Sequence, residues 1–266
     1  MTNDELFNLI SNELKTKDWK KQPFNVFNAC GIEHQEMAHS AFIANLLNPE
    51  ETHKCGNLFL KKFLEILKSK YKEIDISKLS NNVWVETEHN EYRYGRFDIW
   101  IMSKTDNAYM IIENKIDAGD GEKQLLNYSN FLNEKSKRFN EKRKGVLLYL
   151  TLNGRAAENN STSDIVDLNK QNGYYSISYY REIKKWLAPF LNEDIHIQIK
   201  YAIEQYLNLI DYLCLKAHLR ENIISKGALI EQAIELLKYK YLTKQEMDFI
   251  KYLIYSFERI KNNDKK

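Results

Sequence analysis

The stretch GRFDIWIMSKTDNAYMIIENKIDAGDGEKQLLNY, Gly95 to Tyr128, decides how this chain is read. It holds two apolar runs that carry charge where a buried strand should carry none, and an amphipathic helical pattern follows at once. Read as a strand, Arg96 to Met102 puts Phe97, Ile99 and Ile101 on one face and Asp98, Trp100 and Met102 on the other. The second run, Tyr109 to Lys115, puts Met110, Ile112 and Asn114 on one side and Ile111, Glu113 and Lys115 on the opposite side. A polar turn, Thr105 to Asn107, joins the two as a hairpin and so brings Asp98 and Glu113 together.

Buried carboxylates are costly, and neighbouring ones raise each other's pKa unless a cation lies between them. A hard divalent ion resolves that conflict. Mg²⁺ takes carboxylate, carbonyl and water oxygens and keeps waters for a phosphate-bearing substrate. A lysine on the same face can hold the attacking water and offset developing charge. Asp98 on one strand with Glu113-Asn114-Lys115 on the next resembles the PD-(D/E)XK nuclease superfamily. Gln124-Leu125-Leu126-Asn127-Tyr128 is similar to the QxxxY element of its exonuclease-like branch, and Glu36-Met37-Ala38-His39-Ser40 looks like the N-terminal helix that adds an acid to the metal site. The resemblance covers roughly Gln35 to Trp186, and departs from the pattern in having Phe97 where proline often precedes the aspartate. It implies a restriction-endonuclease-like α/β fold, a mixed β-sheet core flanked by helices with a helical C-terminal extension. It further implies that Asp98, Glu113 and the Asn114 carbonyl hold Mg²⁺ (Mn²⁺ substituting) with help from Glu36, that Lys115 serves the attacking water, and that Gln124 and Tyr128 flank the substrate or steady the centre.

The whole composition fits an ordinary globular protein: 266 residues, 29% charged, 43% hydrophobic. A net charge of +2 argues against a chain wholly given to gripping phosphates, so a local basic face has to do that work. Cys30, Cys55 and Cys214 are far apart, with no CxxC pair, which disfavours a zinc site or a disulfide framework and points to a reducing compartment. No apolar run reaches membrane-spanning length, and the polar start, Met1 to Lys20, does not read as a secretory signal, so a cytoplasmic location is the expectation.

Along the chain, the first amphipathic pattern carries Leu6, Phe7, Ile10 and Leu14. Helices are expected over Gln35–Leu47 and His53–Tyr71, a first strand over Val83–Glu88, and a helix over Glu122–Asn133 with Asp120 as its N-cap. His39 and His53 are read as packing or capping residues first and as substrate contacts second; the forked side chains of Arg93 and Arg96 suit phosphate oxygens, with rim salt bridges as the alternative. The basic run Lys135–Lys144 is either a solvated face or a phosphate track. A further strand, Gly145–Thr151, should lie parallel to Tyr109–Asn114 across the intervening helix. Asn153–Lys170 reads as a loop, Gly173–Ser178 as a short strand and Tyr179–Leu191 as a helix. Beyond that, only helical patterns remain, at His196–Leu215, Ala217–Tyr241 and Thr243–Lys261. The division is therefore residues 1–191 as a nuclease core and 192–266 as a helical region able to dimerise or bind a partner protein. The expected partner of the core is nucleic acid, with DNA favoured; a catalytically silent binding or effector-sensing module of the same fold, or a purely structural interaction protein, are the alternatives.

Overall fold

In the computed structural model, residues 24–80, 82–138, 145–162 and 173–221 are described. The expected helices around Leu6–Leu14, most of Ala217–Tyr241 and all of Thr243–Lys261, together with the later part of the basic run and of the Asn153–Lys170 loop, lie outside these residues.

The strands form where β-branched and aromatic residues cluster: β1 Val83–Glu91, β2 Gly95–Ser103, β3 Tyr109–Lys115, β4 Gly145–Thr151 and β5 Tyr175–Ser178. They make one five-stranded sheet in the order β1-β2-β3-β4-β5. The first three run antiparallel, joined by tight hairpins; β3 to β4 and β4 to β5 are parallel. The expected crossover is present, with α4 (Gln124–Arg138) between the parallel neighbours β3 and β4. Because β2 opposes β3, the start of β2 lies at the same end of the sheet as the carboxyl ends of β3, β4 and β5. Asp98 therefore meets Glu113 and Lys115 at one edge.

The remaining helices are α1 Val26–Ala29, α2 Glu36–Leu47, α3 Leu58–Lys70, α5 Asn159–Thr162, α6 Lys184–Leu187 and α7 Ile197–Glu221. One face of the sheet, through Ile99, Ile101, Met110 and Ile112, packs on α2, α3, α6 and α7 by way of Leu47, Phe63, Trp186 and Tyr206. The other face, through Trp100, Ile111, Leu147 and Tyr149, packs on α4 by way of Leu125, Tyr128 and Phe131. The sheet is thus covered on both sides, which is what its apolar central strands require. Among the described residues, no helix is long and apolar enough to cross a membrane.

Three local expectations are corrected. Residues 53–57 are a turn and not the first turn of a helix, with Lys54 and Gly56 at φ 55° and 54°, so α3 begins at Leu58. The segment 179–191 is helical but opens as a π-turn, Tyr179–Ile183, and closes as a 3₁₀ turn over Ala188–Leu191, where Pro189 cannot donate a main-chain hydrogen bond. Phe97 leaves the face of Ile99 and Ile101 and packs against Tyr128 and Phe131, ring centroids 4.7 and 5.0 Å away. The departure coincides with a distortion opposite Asp98, where Glu88 has φ 56° and the β1–β2 pairing is interrupted between Thr87↔Ile99 and His89↔Phe97. A left-handed residue inside a strand twists it and re-aims the side chains beyond.

Candidate active site

The last β2–β3 pair is Ile99↔Ile112, so one step further in the register sets Asp98 beside Glu113. Asp98 Oδ2 accepts the Asn114 main-chain N–H at 2.7 Å. Glu113 is fully buried; its Oε1 lies 2.7 Å from Lys115 Nζ, and its Oε2 has no hydrogen-bond partner among the described residues. Burial pushes Glu113 up to about 8, the Asp98 carboxylate pushes in the same direction, and the charge and hydrogen bond of Lys115 oppose them. Burial likewise raises Asp98 to about 6, against the pull of the Asn114 N–H and Lys115 and with the push of Glu88 and Glu36. Lys115 is desolvated, yet the surrounding carboxylates hold it above the ordinary lysine value.

Asn114 faces the other way, as its alternate position demands. Its Nδ2 donates to Ser40 Oγ and to the Glu36 carbonyl, both at 3.1 Å, and its Oδ1 accepts from Tyr179 OH at 2.8 Å. Tyr179 is hydrogen-bonded to Tyr206, Tyr206 OH meets His39 Nδ1 at 2.9 Å, and His39 Nε2 meets the Glu33 carbonyl at 2.9 Å. A fully satisfied buried network of this kind specifies one arrangement. It fixes the peptide whose N–H carries Asp98 and whose neighbours are Glu113 and Lys115.

Glu36 is brought close enough to act on Asp98, Glu113 and Lys115. Its Oε1, however, accepts the N–H groups of Ile116 and Ala118 at 2.8 and 3.3 Å, which ties down the loop leaving β3. Among the described residues, no three His, Cys, Asp or Glu side chains form a metal cage. Two carboxylates, one with an unpaired oxygen, beside main-chain carbonyls suit Mg²⁺, which completes its shell with water and seldom uses an all-protein cage.

Gln124 Nε2 donates to Tyr128 OH at 3.0 Å, and Tyr128 OH donates to the Arg96 carbonyl at 2.6 Å. Tyr128 is buried, so it acts as a strut between α4 and β2 and is not placed to flank a substrate directly. Gly95 lies against it at φ 104°, a backbone conformation that residues with a side chain rarely adopt.

Several expected contacts are redirected. His39 is 1% exposed with both ring nitrogens engaged, so no phosphate reaches it. His53 is buried against Phe59 and bonds to main-chain groups of Asn48 and Cys55. Arg93 is exposed at the β1–β2 turn, and exposed Arg96 pairs with Glu88 at 2.8 Å. Asp120 is not an N-cap. Its carboxylate accepts from Tyr149 OH, from Arg155 Nη2 at 3.0 Å and from Glu158 N at 2.6 Å, pinning the loop after β4. Sequence reasoning passed over Arg155, Tyr179 and Tyr206, because nothing local in the chain distinguishes a long-range hydrogen-bond partner from a packing residue.

A family model described as the PD-(D/E)XK nuclease superfamily matches residues 24–213. The chain belongs to that superfamily. No curated protein and no solved structure matches it. The five-stranded mixed sheet flanked by helices is the restriction-endonuclease-like α/β fold. The family match runs beyond Leu191 into α7, the helix that supplies Tyr206 to the support beneath Asn114.

Proposed function

We propose that this PD-(D/E)XK protein is a Mg²⁺-dependent nuclease that hydrolyses phosphodiester bonds in nucleic acid, with DNA the favoured substrate and restriction or antiviral defence the setting. The observation that carries the reading is the pairing of Asp98 with Glu113, both held well above the carboxylate range, beside Lys115 at the shared edge of β2 and β3. Such perturbed clusters are characteristic of working sites. Asp98, Glu113 and the Asn114 carbonyl would hold Mg²⁺, with Mn²⁺ as a substitute. When bound, the ion supplies charge neutralisation at phosphoryl oxygens and acidifies water.

The chain's own groups do the rest. Lys115 positions the nucleophilic water with its ammonium and balances charge gained by the phosphoryl group. Glu36 holds the loop beyond Lys115. Gln124 and Tyr128, the pair that matches QxxxY, keep the start of β2 seated so that Asp98 stays in register with Glu113. Arg93 and Arg96 take phosphates at the rim, Arg96 by exchanging its Glu88 partner for a phosphate oxygen. The helical region beyond residue 191 serves self-association or a partner protein through faces that α7 does not commit to the core, and the protein works in the cytoplasm.

The test is cleavage of labelled single-stranded DNA, duplex DNA and RNA with Mg²⁺, Mn²⁺ or EDTA. Metal-dependent cleavage is expected from the wild type and should vanish in Asp98→Ala, Glu113→Ala and Lys115→Ala, with the circular-dichroism spectrum of the fold retained. Equal activity in the triple variant sinks the proposal. A silent binding module would bind these substrates and cleave none.

A further inference from the structure

The tip of the β1–β2 hairpin lies beyond Asp98 at the same end of the sheet. The turn is Tyr92-Arg93-Tyr94, closed by the Tyr94 N–H on the Glu91 carbonyl at 2.8 Å and followed by Gly95 at φ 104°. Three strand steps separate Gly95 from Asp98, about 10 Å at the usual rise. A strand of nucleic acid threaded past Asp98 thus meets the tip within a few nucleotides.

Tyr92 is 98% exposed, more than any other large hydrophobic side chain among the described residues. Between the tip and α4 lies a cavity of about 340 Å³, lined by Glu91 at the end of β1, by Tyr92, Arg93 and Tyr94 from the turn, and by Phe131, Glu134 and Lys135 from the helix, so two carboxylates and two cations share its wall. It opens on the α4 side of the sheet, the side to which Glu113 and Lys115 belong. Its wall is rigid. Tyr94 meets Phe131 edge-on at 5.4 Å, Tyr94 OH is bonded to Glu134, and Lys135 Nζ sits 5.0 Å over the Phe131 ring. An aromatic platform with a cation at its rim suits a nucleobase whose phosphate stays outside, because every base has a face to stack and only the backbone needs the charge. A base inside a duplex has both faces covered and cannot enter.

We infer that Tyr92 is a base-stacking finger, with Arg93 and Lys135 on the adjoining phosphates, and that it selects strands with an unpaired base a few nucleotides from the cut. The inference rests on the nuclease reading of the neighbouring site and names the substrate form that site prefers: single-stranded or frayed ends over closed duplex.

The test uses a single-stranded DNA oligonucleotide with 2-aminopurine at successive positions, and a blunt duplex of the same sequence, titrated with the full-length protein in EDTA. Stacking on an aromatic ring quenches 2-aminopurine whether or not the strand is cut. The wild type should quench one position strongly and bind the single strand more tightly than the duplex. Tyr92→Ala should remove the quench and weaken single-strand binding about tenfold or more, whereas Tyr92→Phe and Tyr92→Trp retain both. Equal binding and quenching by Tyr92→Ala overturns the inference, as does a wild type with no preference for the single strand. Quenching by a wild type that cleaves nothing under Mg²⁺ leaves the finger standing and removes the nuclease reading. Cleavage that is indifferent to Tyr92 does the reverse.

Discussion

Replacing Glu113 with glutamine should stabilise the metal-free protein, and the gain should grow with pH. Burial and the Asp98 charge raise the Glu113 carboxyl from 4.5 to about 8 in the folded chain. Between those values the folded protein binds a proton that the unfolded chain has released, so stability falls as pH rises through the interval; below it both states are protonated and the cost is absent. At about 1.36 kcal/mol per tenfold in the proton equilibrium, the cost complete above pH 8 is on the order of 4–5 kcal/mol. Asp98, raised from 3.8 to about 6, adds a smaller loss with the same sign at lower pH. Lys115, raised from 10.5, contributes stability that is complete below 10.5 and is lost only as pH climbs from there through its folded value, so a scan ending at pH 9 leaves it charged. Glu113→Gln keeps the volume and gives up the Lys115 ion pair, so a net gain of about 2–3 kcal/mol at pH 9 is the expectation. That corresponds to roughly 4–12 °C in Tm for a chain of this size. Thermal unfolding in EDTA from pH 5 to 9 should show a falling wild-type Tm and a flatter profile for the variant. Added Mg²⁺ should recover the wild type alone. A wild-type Tm independent of pH, or a variant less stable than wild type at pH 9, refutes the electrostatic account of the site.

Tyr206→Phe keeps the ring packing but takes a partner from His39 and Tyr179, and should cost about 1–2 kcal/mol in urea unfolding. Asp120→Ala leaves Arg155, Tyr149 and the Glu158 N–H unpaired at a buried carboxylate position; a loss of roughly 2–4 kcal/mol and faster proteolysis within residues 153–158 are expected. Gly95→Ala forces a side chain into φ 104° with its Cβ 3.4 Å from Tyr128, and should cost about 1–2 kcal/mol by calorimetry.

What the sequence revealed and what it hid divide along the range of the interactions. Alternation placed Asn114 opposite Glu113 and Lys115 correctly, because every residue of β3 keeps a regular strand conformation. It misplaced Phe97, which lies next to the point where the pairing with β1 is interrupted, at Glu88 on a different strand. The parallel pairing of β3 and β4 followed from the crossover helix between them. Asp120 had every local mark of an N-cap, yet its carboxylate is committed to Tyr149 and Arg155, residues that only the folded sheet brings near. His39 and Tyr206 lie 167 positions apart, and no periodicity within either helix announces the bond that joins them.

The hydrogen-bond chain that runs through Tyr179 and Tyr206 to Asn114 also sets the smallest piece of this protein able to keep its site. A truncation after Leu191 preserves every residue proposed for chemistry but strips the phenol that closes the ladder beneath them, and leaves Phe27 and Phe42 without the ring they pack on. A fragment that keeps this support therefore includes both α1 and the turn of α7 that carries Tyr206.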